Sequence, residues 1–371
     1  MIRRLFIDNY RCFSNFELKL HDLANTMIVG FNGVGKSTIG EILGLFSSIG
    51  WNVTDINNLL PSGLLRFGAE KMRRVSSGDP DVITLEIETG DGVHVWIYKL
   101  VFRAKGFSYE IVSEELIYDG EEKLHRSQKA LRVGTIALAA LGDEDGTGAI
   151  QAFVEQLRAI IVLRPVPRLM SSELRIDGKP LSVDGSNFAS WLMDLLSSES
   201  EAYPLFKEYL RCVMPDFREI SQISSPRDGT RLAVLFKADS ESSHVHHDFR
   251  MLSDGEKCQF IAAAVIAKNK VSNGCVCFWD EPDNYITTTE VDNLLPALSN
   301  RFERCGQLIV TSHSREAIRS FGENEVIRFI RPDHFHAVLP PMTVKELRES
   351  GIIDKDESLE AALLNGKVVG R

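Results

Sequence analysis

Long apolar runs are missing from this sequence. No uninterrupted stretch approaches the ~18 residues that a membrane-crossing helix needs. The start, Met1-Ile2-Arg3-Arg4, gives way to mixed sequence rather than to the apolar core of a secretory leader. No membrane association is expected. Cysteine is sparse and scattered, at Cys12, Cys212, Cys258, Cys275, Cys277 and Cys305, with no CxxC pair. That argues against a disulfide framework and a zinc ribbon, and it agrees with a reducing, cytoplasmic setting. An excess of basic charge is missing too. Forty-two Lys+Arg against 52 Asp+Glu leave a net charge of −10, which argues against a broad nucleic-acid wrapper. A local basic groove stays open, because a binding field is a local property. Clusters such as Lys71-Met72-Arg73-Arg74 read as solvated surface.

What is present is the make-up of an ordinary globular protein. The 371 residues are 44% apolar and 25% charged, room for one large domain or two modest ones. The most informative stretch is Gly30-Phe31-Asn32-Gly33-Val34-Gly35-Lys36-Ser37-Thr38. Met27-Ile28-Val29 precedes it, and Ile39, Ile42, Leu43 and Phe46 follow at helical spacing. Strand, glycine-rich turn and helix, with Lys and Ser where the helix starts, make a phosphate-binding P-loop. Gly33 and Gly35 let the backbone curl so that several N–H groups face one anion. The helix N-terminus adds partial positive charge. Lys36 is expected to reach the β- and γ-phosphates and the Ser37 hydroxyl to ligate Mg²⁺. Gly30, Asn32, Val34 and Thr38 complete the expected nucleotide-binding set.

Taken in order, residues 1–30 read as two strands and then a third, residues 26–29, that delivers the P-loop. Arg11 lies in a turn-like interruption close to that strand. It is placed either to approach phosphate or base or to lie on the surface, and the sequence leaves both open. Residues 47–80 are rich in turn formers. Alternating segments at 83–88, 93–102 and 107–118, parted by Gly90-Asp91-Gly92 and Lys105-Gly106, predict an antiparallel meander added to the nucleotide core. Residues 149–157 read as helix and Ile160-Ile161-Val162-Leu163 as a buried strand, which Arg164-Pro165-Val166-Pro167-Arg168 ends. Ser186-Asn187 is expected to cap a helix carrying Phe188, Trp191, Leu192 and Leu195, and a second helix follows Pro204. No heptad seam there runs long enough for an extended coiled coil. His244-Val245-His246-His247 sits in a serine-rich stretch and reads as a loop rather than a ligand set.

The last third carries more chemistry. Gly274-Cys275-Val276-Cys277-Phe278-Trp279 is a buried-strand run that ends in Asp280-Glu281-Pro282-Asp283-Asn284. Acids at the C-terminal tip of a parallel strand sit where α/β sheets bind ligands. Asp280 is expected to hold Mg²⁺, and Glu281 to act as general base toward the attacking water. Leu308-Ile309-Val310-Thr311-Ser312-His313 is a second such strand, with His313 within reach of a γ-phosphate. Met251-Leu252-Ser253-Asp254-Gly255-Glu256-Lys257 opens a long helix, with Ser253 as N-cap and Gly255 permitting close backbone approach.

With those residues in hand, the chain resembles an ABC-type ATPase. GFNGVGKST matches Walker A, LSDGE the signature, CVCFWDEPDN Walker B and IVTSH the switch histidine, all in the family's order. Within that superfamily it is similar to the RecF/SMC/OLD branch. The opening I-x-N-Y-R-x-F and the DEPDN ending carry this, and the spacing from Lys36 to Ser253 is about twice that of a transporter domain. Asp254 departs from the common second signature glycine, and the family's Q-loop glutamine has no secure place, Gln128 being one candidate.

The resemblance implies an α/β fold of P-loop NTPase type, with a mixed central sheet, an antiparallel β subdomain and a small helical subdomain. Residues 1–160 are expected to form the N-terminal part of the ATPase domain, 161–228 the helical subdomain and 229–371 the C-terminal part. It also implies ATP and Mg²⁺ as cofactors and catalysis by Glu281, Lys36 and His313. Head-to-head homodimers are implied, in which Ser253 and Gly255 touch the partner's nucleotide. OLD nucleases append a Toprim domain; the 58 residues after His313 are too few for one and read as short helices packed on the core. The expectation is therefore an ATPase that switches a separately encoded effector such as a nuclease, in phage defence or DNA repair, with DNA as a possible ligand. The alternatives are a transporter's nucleotide-binding subunit and a nucleotide-dependent scaffold with little hydrolysis.

Overall fold

Alternation of apolar and polar residues early in the chain builds one antiparallel sheet in the computed structural model. The structure describes residues 1–60, 82–105, 108–127, 134–140, 148–175, 178–225, 229–237 and 244–369. It divides into two units, Met1–Ile160 with Phe321–Arg371, and Ile161–Ser320. In the first, β1 (Ile2–Asp8) and β2 (Phe16–Lys19) form a hairpin, and β3 (Asn25–Val29), buried throughout, leads into α1 (Lys36–Gly50). The meander follows as β4 (Val82–Gly90), β5 (Val95–Lys105) and β6 (Ser108–Tyr118), and it gains β7 (Glu121–Ser127). The sheet order is β2-β1-β4-β5-β6-β7.

Period two decides the two faces of this sheet. Leu85, Ile87, Tyr98, Leu100 and Phe102 are fully buried on one. On the other, Arg4 of β1 pairs with Glu86 and Glu88 of β4 and with Glu17 of β2, an opposite-charge cross-strand set. The apolar face receives α1 and α2 (Ala149–Arg158): the Tyr98 ring lies 6.1 Å from Phe46 and 5.7 Å from Phe153. Burying each such ring contributes about 1.5–3 kcal/mol.

The second unit begins within β8 (Ile160–Leu163), buried at every position. Residues 161–228, expected to be helical, hold α3 (Phe188–Ser198) and α4 (Ala202–Val213) but also the strand β9 (Phe217–Ser225). Asn187 precedes α3 without capping it. Its side chain instead accepts from Ser182 N at 2.8 Å and donates to Pro180 O at 2.9 Å, closing the preceding loop. β10 (Gly229–Lys237) pairs with β9 and with β11 (His244–Asp248). The histidine-rich stretch is thus a strand and not a loop; its partner β10 supplies the pairing that local composition did not reveal.

α5 (Asp254–Val271) starts with a capping box between Ser253 and Glu256. It is buried from Lys257 to Ala267, so it lacks the one-sided stripe of a surface helix. Phe260 meets Phe206, Phe217 and Phe249 at 5.7, 5.8 and 5.5 Å, tying α4, β9 and α5 into one core. β12 (Val276–Asp280), α6 (Thr288–Phe302) and β13 (Gln307–Thr311) follow. β12 and β13 are parallel and wholly buried, as strands covered on both faces must be. The order in this unit is β13-β12-β8.

The chain then returns to the first unit. β14 (Val326–Arg328) runs parallel to β3, and β15 (Met342–Thr343) antiparallel to β14, giving a mixed sheet. Short helices at Val344–Glu349 and Leu359–Leu364 close the tail, with Leu347, Ile353 and Leu363 buried. Among the described residues no helix is long and apolar enough to cross a membrane.

Candidate functional site

The P-loop joins β3 to α1 in the first unit. Gly30, Gly33 and Gly35 all have positive φ, at 150°, 81° and 98°, a region that β-carbon-bearing residues reach only at a cost. Space is tight as well. A Cβ on Gly30 lies 2.6 Å from the Phe329 carbonyl, and one on Gly35 lies 2.6 Å from the Phe13 ring and 2.7 Å from Cys12 Sγ. Lys36 is buried, and its Nζ donates to the carbonyls of Gly30 at 2.8 Å and Phe31 at 3.2 Å. The loop therefore encircles its own lysine. No side chain caps α1, whereas α5 and α6 start with capping boxes. A curled loop of this kind, with a buried cation and an uncapped helix start, is complementary to a phosphate. Ser37 is half-buried at the start of α1, Val34 and Thr38 are buried, and Asn32 is exposed at the loop tip.

Arg11 is in the same unit, in the turn between β1 and β2 with φ 52°. Its guanidinium pairs with Glu41 of α1 at 2.9 Å, so it braces the P-loop helix. The structure adds a second brace. Arg331, just after β14, donates to Gly33 O at 3.1 Å and also to the carbonyls of His334 and His336. A cavity of about 460 Å³ lies there, bounded by Phe31, Asn32, Gly33, Arg331 and His334.

The acids are in the second unit. Asp280 ends β12 and is 5% exposed, and its Oδ1 accepts from Thr311 Oγ1 at 2.6 Å. Glu281 has left-handed backbone, φ 50° and ψ 62°, which turns its side chain out of the strand. Its N–H donates to the Thr311 carbonyl and hydroxyl, both at 3.1 Å. Its carboxylate accepts from Asn284 at 2.8 Å and lies 3.5 Å from His313 Nε2. The structure thus brings Glu281 and His313 together, with Asp280 one residue away. Asp283 packs beside them: burial pushes its carboxyl above the ordinary range, the Ser312 hydrogen bond opposes this, and Glu281 adds to the rise.

The signature stretch lies in the same unit. Ser253 Oγ and N both meet Glu256 Oε2 at 2.7 Å, so the serine is engaged as a cap. A Cβ on Gly255 lies 3.2 Å from the Tyr285 carbonyl, which places the start of α5 against the turn after Asp280-Glu281. Gln128 lies outside the described residues. As to metal ligands, Asp280 and Ser37 offer hard oxygen donors of the kind Mg²⁺ takes. A separate group of half-buried Glu115 with exposed Glu122 and His125 brings its ligand atoms within 4.8 Å of one another on β6 and β7.

The AAA ATPase domain family matches residues 1–78, the stretch holding β1–β3 and the P-loop. No match was found among the curated proteins. Among solved structures, the chain is similar to an SmcHead bound to the C-winged helix domain of ScpA, at 15% identity and TM-score 0.56. That alignment covers 93% of this chain and 99% of the other. It is also similar to a Smc head domain with an extended coiled coil, bound to the C-terminal domain of ScpA, derived from Pyrococcus furiosus. There the identity is 13% and the TM-score 0.53, over 94% and 98% of the two chains. The fold is that of an SMC head. It is a P-loop NTPase fold of the ABC type, as the motif order implied.

Two groups in this SMC-head fold escaped the sequence reading. Arg331 reaches Gly33 across 298 positions, and no local pattern marks it. Arg164 was read only as the end of β8, yet its Nε lies 3.6 Å from Asp280 Oδ2. Pro165 and Pro167, which follow it, were the one available signal, since they restrict the backbone there.

Proposed function

We propose that this protein binds ATP with Mg²⁺ and hydrolyses it in an ABC-type cycle, and that two copies close around the nucleotide. The observation that carries the reading is the P-loop itself: three positive-φ glycines, an uncapped helix start and a buried Lys36 already held among loop carbonyls. Lys36 serves the β- and γ-phosphates, with the surrounding N–H groups fixed in advance, so little reorganisation is needed at the moment of reaction. Bound Mg²⁺ supplies charge neutralisation on the phosphates, with Ser37 and Asp280 as its protein ligands. Glu281 takes the proton of the attacking water. Its strained backbone and the Asn284 hydrogen bond hold the carboxylate outward. His313, beside Glu281, orients that base and senses the γ-phosphate.

Ser253 and Gly255 belong to the other face of the sandwich and meet the nucleotide of a second copy. Arg11 supports the P-loop through Glu41 rather than by direct phosphate contact. A separate partner reads the closed state. The similar SMC heads carry a bound ScpA domain, which supports an effector supplied by another chain. A nuclease in phage defence or DNA repair, with or without DNA held by the closed pair, is the form of that partner we favour. The six cysteines form no disulfide, which agrees with a cytoplasmic site of action.

The test is phosphate release from ATP by wild type and by Lys36→Ala, with mant-ATP binding alongside. Mg²⁺-dependent turnover that Lys36→Ala abolishes, with weakened binding, is expected. Wild-type protein that neither binds nor hydrolyses ATP overturns the proposal.

A further inference from the structure

A cavity of about 710 Å³ opens beside Asp280 in the second unit, bounded in part by Arg164, Arg168, Asp184, Asp280 and Glu281. The Asp280 side chain is 4% exposed. One of its oxygens accepts from Thr311, and the other lies 3.6 Å from Arg164 Nε. A buried carboxylate with one oxygen unserved is costly unless a counter-charge reaches it. Arg164 is that counter-charge. It has no lone pair to offer a metal, so Arg164 and a divalent cation are competitors for the same oxygen.

The anchoring of Arg164 suits an exchange. Its backbone N–H donates to Val183 O at 2.8 Å, and Val166 N–H donates to Asp184 O at 2.9 Å. Pro165 and Pro167 restrict the chain that follows, and Pro165 also restricts the backbone of Arg164 just before it. The root of the side chain is therefore fixed, while the side chain is 68% exposed and free to swing within the cavity. A guanidinium matches phosphate oxygens as well as it matches a carboxylate.

We propose that Arg164 is a positioning residue that neutralises Asp280 while no divalent cation is bound there and turns to nucleotide phosphate when one is. The protein's requirement for the cation is then set by this exchange. The inference rests on Asp280 being the cation-holding acid proposed above.

The test is binding of mant-AMPPNP to the full chain, in EDTA and in Mg²⁺, with the ratio of the two dissociation constants as readout. Arg164→Ala leaves the Asp280 charge uncompensated against the anionic nucleotide in EDTA, whereas in Mg²⁺ the loss of a phosphate partner is offset by removal of the cation's competitor, so the ratio widens. An increase of about fivefold over wild type is expected for a partly exposed pair, with Arg164→Lys close to wild type and circular dichroism unchanged. An Arg164→Ala ratio at or below the wild-type value overturns the inference. Asp280→Asn separates the two claims. If it brings the ratio toward one while Arg164→Ala matches wild type, only the role of Arg164 is wrong. If Asp280→Asn keeps the wild-type ratio, the cation site itself is misassigned and the exchange falls with it.

Discussion

Gly35→Ala is expected to damage the P-loop far more than Gly33→Ala, although both glycines have positive φ. The left-handed backbone costs an alanine about 1–2 kcal/mol at either position. Gly→Ala recovers about 0.4–1 kcal/mol through the unfolded chain. At Gly33 nothing else changes, because the nearest atom to an added Cβ is His334 Cε1 at 3.7 Å, ordinary contact. At Gly35 the added carbon sits 2.6 Å from the Phe13 ring and 2.7 Å from Cys12 Sγ. Both side chains are buried, so neither can move into solvent, and overpacking of this kind costs about 1–3 kcal/mol more. The expected losses are about 0–1.5 kcal/mol for Gly33→Ala and about 1–4.5 kcal/mol for Gly35→Ala. Urea unfolding measures both, with mant-ATP affinity as a second readout. Cys12→Ala removes one of the two obstacles, so the Gly35→Ala/Cys12→Ala pair is expected to lose less than the sum of the single changes. Equal costs for Gly33→Ala and Gly35→Ala, with no coupling to Cys12, would refute the steric argument.

Two other predictions concern the braces of the first unit. Arg331→Ala removes three donated hydrogen bonds, one of them to Gly33 O; nucleotide affinity is expected to fall by about three- to tenfold with the fold intact, as read by titration calorimetry. Arg348 donates to Glu323 at 2.8 and 2.6 Å and holds that carboxyl below its ordinary 4.5. A depressed carboxyl contributes stability that is present above the unfolded value and lost as pH falls through the folded one. Arg348 also donates to the carbonyls of Asp354 and Glu357, which do not titrate, so the melting-temperature gap between wild type and Arg348→Ala is expected to be constant from pH 6 to 8 and to narrow, not vanish, below about pH 4. A gap that widens in acid contradicts the pairing.

The legible parts of this molecule are those whose signals are local. β3, β12 and β13 each contain a short apolar run, and the loops they feed carry their chemistry in consecutive residues. The 83–118 meander announced itself by alternation. β7 did not, since Glu121–Ser127 is almost wholly polar and forms the far edge of the sheet beside β6. β11 was missed for a related reason: its histidines carry no strand signal, and only pairing with β10 makes them one. Glu114 shows the limit at a single residue. Within β6 its charge suggests solvent, yet it is fully buried and accepts from Tyr98 OH and from the N–H groups of Ala137 and Leu138. Arg331 and Arg164 belong to the same class, because their partners come from distant positions in the chain. At the candidate site, the residues expected from the sequence are those of consecutive motifs. The structure added how Glu281 is turned outward by a left-handed backbone and what stands against Asp280.

The most direct test of the central claim is the mass of Glu281→Gln in solution, with and without Mg-ATP, by analytical ultracentrifugation, with turnover measured on the same sample. With the base removed but the P-loop intact, the variant is expected to bind ATP, lose turnover by about 10²-fold or more, and sediment as a dimer only when ATP is present. A variant that stays monomeric with ATP and hydrolyses it at the wild-type rate would contradict both the assignment of Glu281 and the closing of two copies around the nucleotide.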